Sequence, residues 1–292
     1  TNNVMMIRYP VQQAKTVLTI GDYRDALVEQ LFGAMLGQRM QELTQQASPP
    51  FVGGGSGASM LVPGYRSFNS SALLGRMGAG PAADALVQES ERARQFGFSA
   101  PELERSKKNL LRGVEQGHAE RDKTDSARYA SEYLRNFLEQ ETIPGIDNEL
   151  AYARELLPGI LLADVNRFAR SIIPEKSAKL VVYMGSDKAD SNTPTEAQLL
   201  ASVSQSEQRA VTARDEKTVA TTLMAHPPAG GTIVAERHNA ALGLTELDLS
   251  NGVKVILKPT DFKADEITMG ANRFGGQSLF GQADMFNAGY AS

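Results

Sequence analysis

The sequence contains no cysteine and only three histidines, His118, His226 and His238. Without cysteine there can be no disulfide framework, no thiolate zinc site and no cysteine nucleophile. The apolar runs are short, and Leu180–Met184 falls far below the roughly 18 residues that a membrane-spanning helix needs. The formal net charge is only −4 over 292 residues, and basic residues form no block of five or more. We therefore expect no membrane span and no nucleic-acid partner.

The few histidines also limit the metal chemistry. A zinc peptidase holds its metal with two imidazoles one helical turn apart and places a glutamate beside the bound water. Neither H-E-x-x-H nor H-x-x-E-H occurs. His226 and His238 lie twelve residues apart in a stretch rich in proline and glycine. We expect both of these side chains to be solvated.

His118 is the remaining candidate, because Glu115 precedes it by three residues. This E-x-x-H spacing is used by helical di-metal sites, which need a second copy of the motif and two further glutamates. The sequence has no second copy, so a partly exposed helical histidine is the interpretation we favour. An unrelated enzyme that uses His118 with Glu115 is the alternative.

Gly53–Ala58 matches the G-x-G-x-x-A pattern of dinucleotide-binding loops. That pattern binds pyrophosphate only when a helix follows it. Here strand-like residues follow and Pro63-Gly64 interrupts them, so we interpret the segment as a glycine-rich strand. No G-x-S-x-G motif of serine hydrolases occurs.

The hydrophobic periodicity predicts strands and helices in a mixed order. The chain opens with a strand from Val4 to Tyr9, and Asp22 can cap a helix over 23–46. Pro63-Gly64 predicts a hairpin turn within 51–77. A further helix begins near Pro81 and ends at Gly97.

Ser99 and Glu102 form a capping box that opens a long helical region over 101–140. Tyr129, Tyr133 and Phe137 recur there at four-residue spacing, and we expect this stripe to lie in the core.

Shorter helices are predicted over 147–157 and 163–172, followed by a strand over 179–185. This order predicts an α+β fold in which helices pack against one face of a mostly antiparallel sheet. From Ser186 to Ala241 the composition is typical of a linker that contains one helix between 195 and 215. Asn251-Gly252 then predicts a hairpin turn that belongs to a second domain.

Three segments together resemble the pitrilysin–insulinase family of zinc peptidases, and in particular its bacterial members with two fused halves. Met35–Leu43 is similar to the helix that begins the second module of a half. Leu161–Gly185 is similar to the helix and strand that end that module. Leu249–Val255 is similar to the Leu-x-Asn-Gly strand that opens each half.

The resemblance implies that 1–185 is the second, non-catalytic peptidase module, 186–241 the linker between halves and 242–292 the truncated start of the second half. Both ends would be cuts in a longer protein. The family's H-x-x-E-H motif and distal glutamate would lie before Thr1, so no catalytic, metal or cofactor-binding residue is expected in this chain.

The implied function is that of a substrate-enclosing, non-catalytic section of a zinc metallopeptidase that cleaves peptides or small unfolded proteins. Its implied partners are the peptide or unfolded-protein substrate, the missing catalytic module and the rest of the second half. Zinc would be the cofactor of the parent protein. The alternative is a non-catalytic partner subunit or assembly protein of the same architecture. The family resemblance implies the periplasm, with the cytoplasm as the alternative location.

Overall fold

A computed structural model describes residues 3–175, 177–185, 193–214, 222, 224, 226–263 and 266–290. They divide into two compact units, one within Thr1–Gly230 and one within Gly231–Ser292.

The first unit is built on a four-stranded sheet in the order β2-β3-β1-β4, in which every neighbouring pair is antiparallel. Its strands are β1 (Val4–Gln13), β2 (Gly53–Val62), β3 (Tyr65–Leu73) and β4 (Leu180–Met184). Its helices are α1 (Ile20–Thr44), α2 (Ala79–Phe96), α3 (Ala100–Ala119), α4 (Ser126–Glu139), α5 (Ile146–Leu156), α6 (Leu162–Ile172) and α7 (Glu196–Gln208). The α+β class predicted from the sequence is confirmed.

The core of this unit lies between the sheet and the helices. On β1 the alternate residues Met5, Ile7 and Tyr9 are buried, as a strand with one covered face requires. Phe32 of α1 is 1% exposed and makes edge-to-face contacts with Phe98 and with Phe168 of α6. These rings join the sheet-facing helix to its neighbours through a continuous apolar cluster.

The sequence located most helices but misplaced two of their starts. Helix α1 begins at Ile20, because Thr19 rather than Asp22 is its N-cap. The Thr19 hydroxyl accepts from the Asp22 backbone N–H at 3.2 Å, and the Asp22 carboxylate accepts from the Thr19 N–H at 2.9 Å. Helix α5 begins after Gly145, whose φ is 79°, so Asp147 lies in its first turn.

The helical region predicted over 101–140 is two helices. The capping box of Ser99 and Glu102 is confirmed at the start of α3. That helix ends at Ala119, and a short 3₁₀ turn at Arg121–Lys123 follows. Asp125 then starts α4 by accepting a hydrogen bond from the Ala127 N–H at 2.7 Å. The apolar periodicity continues through both helices, which is why it did not reveal the break.

The segment expected to be a linker, 186–241, contains ordered elements in its described parts. Helix α7 packs against α2, and Gln88 of α2 donates to the Ser206 carbonyl at 2.5 Å. Residues 186–192, 215–221, 223 and 225 of that expected linker lie outside the described residues. The division into two modules and a linker stays a prediction.

The second unit contains a three-stranded antiparallel sheet in the order β5-β6-β7. Its strands are β5 (Ile233–Asn239), β6 (Leu244–Leu249) and β7 (Lys254–Leu257), and α8 covers Met285–Tyr290. Gly252 has φ 84° in the turn between β6 and β7, as the Asn-Gly pair predicted. None of the described side chains of this unit is buried, so the part of it that is described has no core of its own.

Candidate functional site

His118 and Glu115 lie one turn apart on α3, but their side chains bind different partners. The His118 Nε2 atom is 2.8 Å from the Asp147 carboxylate of α5. Glu115 instead accepts from the Arg154 guanidinium at 2.9 Å. These are surface contacts between α3 and α5, since the Asp147 side chain is 78% exposed. Two ligands of one metal must point at a common site, and this pair does not.

The other two histidines do not complete a metal site. His226 is exposed, as expected. His238 is also exposed and lies in strand β5, where its Nδ1 atom is 3.3 Å from the Thr245 hydroxyl. Within the described residues, no group of three or more histidine, aspartate or glutamate side chains could hold a metal ion. The described residues therefore do not fit the zinc that the family resemblance implies.

Gly53–Ala58 lies inside strand β2, which continues to Val62 and turns into β3 at Pro63-Gly64. No helix follows it directly, so the pyrophosphate-binding arrangement is absent from this segment. The interpretation as a glycine-rich strand is confirmed. The hydroxyls of Ser56 and Ser70 bond to each other at 2.7 Å in the interior, which fixes the pairing of β2 with β3.

Strand β2 forms one end of the four-stranded sheet. In the part of the chain that the structure describes, no strand pairs with its outer side. It is ten residues long and carries no charged residue and no proline. Natural edge strands are commonly protected by charges, proline, bulges or short length. The composition of Gly53–Val62 therefore did not identify it as an edge, since its place in the sheet depends on which distant strands pair with it.

Helix α4 has an apolar face that the structure leaves in solvent. Tyr129, Tyr133 and Phe137 are 39%, 59% and 77% exposed, and Leu134 and Leu138 beside them are also exposed. The prediction that this stripe lies in the core was wrong. A helical period shows that one face is apolar, but it does not show what covers that face.

A cleft of about 330 Å³ lies between the first half of α1, β3 and α6. Its charges form ion pairs: Arg24 with Asp164 at 2.6 Å and Arg66 with Glu29. The pKa of Asp164 is lowered, first by the hydrogen bond from the Leu161 backbone and also by Arg24. Because positive and negative groups alternate around it, the cleft has no preference for ligands of one charge.

A search of protein-family models found no match to the chain. Among curated proteins, a zinc protease PQQL-like protein of Arabidopsis thaliana is 28% identical over 293 residues, which cover 99% of this chain and 27% of that protein. The chain thus spans about a quarter of the length of this relative.

Solved structures of the periplasmic protease PqqL from Escherichia coli share the fold. The whole protease matches 88% of this chain and 28% of its own length, with a TM-score of 0.58 and 20% identity. A structure of the first half of that protease matches 74% of this chain and 46% of its own length, with a TM-score of 0.61 and 16% identity. No helix among the described residues is long and apolar enough to cross a bilayer.

Proposed function

Because this chain resembles the pitrilysin–insulinase zinc peptidases in sequence and in fold, we propose that it is a substrate-enclosing, non-catalytic section of a longer zinc metallopeptidase. The parent protein would cleave peptides or small unfolded proteins, with a zinc ion held by residues outside this chain. The observation that carries the proposal is the match of 99% of the chain to about a quarter of a zinc protease.

Two features of the chain support this role. Its described residues contain no set of side chains that fits zinc, so a peptidase reaction would need ligands from elsewhere in the parent. Its second unit exposes large apolar side chains such as Phe262, Ile267, Met269 and Phe274, which the rest of a second half would cover. We assign residues 1–185 to a second module, 186–241 to the connection between halves and 242–292 to the start of the second half.

The periplasm is the compartment that we propose, since the solved PqqL structures are of a periplasmic protease. The proposed partners of this chain are an unfolded polypeptide substrate, a catalytic module and the remainder of the second half.

The test compares the parent protein with the 292-residue chain. Zinc content is measured by elemental analysis after dialysis, and cleavage is measured with a quenched fluorescent peptide. We expect about one zinc ion and chelator-sensitive cleavage in the parent, and neither in the chain. His118→Ala should leave the metal content of both proteins unchanged.

Two results would contradict the proposal in different ways. One tight zinc ion in the chain alone, lost in His118→Ala, would make this chain the catalytic part. A parent that holds no zinc and cleaves nothing would instead favour a non-catalytic partner subunit or assembly protein.

A further inference from the structure

We propose that the face of the four-stranded sheet opposite the helices binds a polypeptide through an aspartate or glutamate side chain, and that Arg8 of β1 binds its carboxylate. The inference rests on the proposed function, since it takes the polypeptide to be the substrate and narrows the substrate class to acidic segments. A guanidinium suits this task because its planar fork of N–H donors matches the two oxygens of a carboxylate.

The pairing of the strands places Arg8 on the open face of the sheet. The odd-numbered residues from Met5 to Tyr9 pack against the helices, so Arg8 points to the other side. Directly paired residues share a face, and Asn69 of β3 and Leu180 of β4 therefore flank Arg8 there. Arg8 is the one charged residue at the paired positions of this face.

Arg8 has no acidic partner in the part of the chain that the structure describes. Its Nε atom donates to the Asn69 Oδ1 atom at 3.2 Å, and its Nη2 atom is 3.7 Å from the Met6 sulfur. A thioether is a weak acceptor. Arg39 and Arg66, by contrast, each pair with a carboxylate. The outer N–H groups of Arg8 therefore remain available to a carboxylate that comes from outside the chain.

Asn69 holds the guanidinium of Arg8 in place. The Asn69 Nδ2 atom donates to the Ser59 hydroxyl at 2.8 Å and to the Ser67 carbonyl at 3.0 Å. Its Oδ1 atom accepts from the Ser67 hydroxyl at 3.1 Å as well as from Arg8. Because both donors of the amide are used, its oxygen has to face Arg8. A side chain fixed in this way loses little conformational entropy when it binds a ligand.

The regular pairing of β1 ends at Arg8. The register of β1 with β3 shifts between Arg8 and Val11, and Pro10 in this stretch has no N–H to donate to a neighbouring strand. The pairing of β1 with β4 also stops at Arg8, opposite Leu180. Irregularities of this kind redirect side chains and are frequent beside functional sites. Arg8 thus lies at the end of the paired region, where a ligand has access to it.

The face around Arg8 leaves room for a polypeptide segment that contains apolar residues. A methyl group placed on Gly55 or Gly57 of β2 would meet no atom within 4 Å. Leu180 and Met184 of β4 are 57% and 48% exposed. A segment laid across this face would meet a strip without side chains on one side of Arg8 and apolar side chains on the other. We therefore expect an acidic residue with an apolar neighbour to bind best.

Other occupants fit this face less well. In an interface between two copies related by a two-fold axis, each copy contributes the same patch. The paired positions of this patch include no carboxylate, so Arg8 of each copy would be buried without a counter-charge. A nucleic acid needs several cations for its phosphates, and these positions supply one.

The experiment measures binding of three unstructured 12-residue peptides to the full 292-residue chain by fluorescence anisotropy. The peptides have blocked ends and an uncharged dye, and they differ only in a central residue, which is glutamate, glutamine or lysine. Arg8→Gln removes the guanidinium, and Arg8→Glu reverses the charge. Arg167→Gln is the control, because it removes a guanidinium that is 74% exposed on α6.

We expect the glutamate peptide to bind about tenfold more tightly than the glutamine peptide, as hydrogen bonds between charged groups predict. This difference should shrink when the salt concentration is raised from about 50 mM to about 500 mM. Arg8→Gln should abolish the difference, and Arg167→Gln should preserve it. Arg8→Glu should prefer the lysine peptide to the glutamate peptide. Circular dichroism establishes that the three variants fold.

Four results would overturn the inference: no binding of the glutamate peptide, equal affinity for the glutamate and glutamine peptides, an unchanged difference in Arg8→Gln, or an equal loss in Arg167→Gln. Self-association of the chain that Arg8→Gln abolishes, measured by light scattering, would show instead that a second copy occupies the face. Zinc content and cleavage in the parent protein are measured without these peptides, so the proposed function would stand or fall separately.

Discussion

The guanidinium of Arg39 binds the carboxylate of Glu102 through two parallel hydrogen bonds, Nε to Oε1 at 2.7 Å and Nη2 to Oε2 at 2.8 Å. Arg39 is 3% exposed and also donates to Glu89 at 3.3 Å and to the Gly97 carbonyl at 3.1 Å. It thereby joins α1 to α2 and to the start of α3. Glu102 is also the third residue of α3 and completes its capping box, accepting from the Ser99 N–H at 2.8 Å.

Arg39 and Glu102 both stay charged, although burial favours their neutral forms. Burial by itself acts to lower the pKa of Arg39, but Glu102 and Glu89 outweigh it and leave the pKa raised. Burial likewise acts to raise the pKa of Glu102, and its hydrogen bonds from Arg39 and Ser99 leave that pKa lowered. Removal of one partner would leave the other charge buried without compensation.

Arg39→Lys should lower the free energy of unfolding by about 1.5–3 kcal/mol, because lysine keeps the positive charge but cannot make the two parallel hydrogen bonds to Glu102. The control is Arg167→Lys on α6, where the arginine side chain is 74% exposed and the expected change is within about 0.5 kcal/mol. Urea unfolding monitored by circular dichroism measures the stability of both variants, since the chain has no tryptophan for fluorescence. Equal stability of the two variants would show that the buried pair does not join these helices.

The same pair predicts a dependence of stability on pH. The pKa of Glu102 in the folded state lies below its unfolded value of about 4.3. The ionised carboxylate therefore contributes fully to the free energy of unfolding above about pH 4.3, and this contribution is lost as the pH falls through the folded-state pKa. Glu102→Gln should lower the free energy of unfolding at pH 7. Below about pH 4.3, the free energy of unfolding of this variant should fall less steeply with pH than that of the unmodified chain. The measurement is the difference in unfolding free energy between this variant and the unmodified chain at each pH. A difference that stays constant down to pH 3 would argue against the pair.

Truncation of an aromatic side chain should lower the free energy of unfolding strongly on α1 and hardly at all on α4. Phe32→Ala should cost about 3–5 kcal/mol, because Phe32 is 1% exposed within the core. Phe137→Ala should change stability by no more than about 0.5 kcal/mol, because this ring is 77% exposed. Thermal unfolding of the two variants checks both values. A large loss in Phe137→Ala would mean that the α4 face is covered in the isolated chain.

Two adjacent glycines of β2 should differ in their tolerance of a methyl group. Gly54 has φ 154°, and a Cβ atom there would lie 2.2 Å from the Ser71 carbonyl oxygen of β3. Gly54→Ala should therefore reduce stability by more than 1 kcal/mol or so. Gly55→Ala meets nothing within 4 Å and should have a small effect. Comparable stability of the two alanine variants would contradict the close approach of β2 to β3 at Gly54.

The differences between the predicted and observed elements have a common cause. Tyr129, Tyr133 and Phe137 satisfy the helical period, and α4 does form, but its apolar face is in solvent. Glu115 and His118 satisfy the E-x-x-H spacing, yet Arg154 and Asp147 of α5 bind them separately. Periodicity describes one helix, whereas burial and metal binding depend on what the neighbouring elements contribute.

The sequence by itself determined the α+β class, the hairpin turns at Pro63-Gly64 and Asn251-Gly252, and the capping box at Ser99, because turns and caps depend on residues only a few positions apart. Only the tertiary structure decided that β2 is the edge of the sheet, that Arg39 pairs with Glu102 and that the α4 stripe is exposed. Strand order and side-chain pairing join residues far apart in the chain, such as Arg39 and Glu102 at a separation of 63. Local sequence patterns contain no information about which distant element lies opposite them.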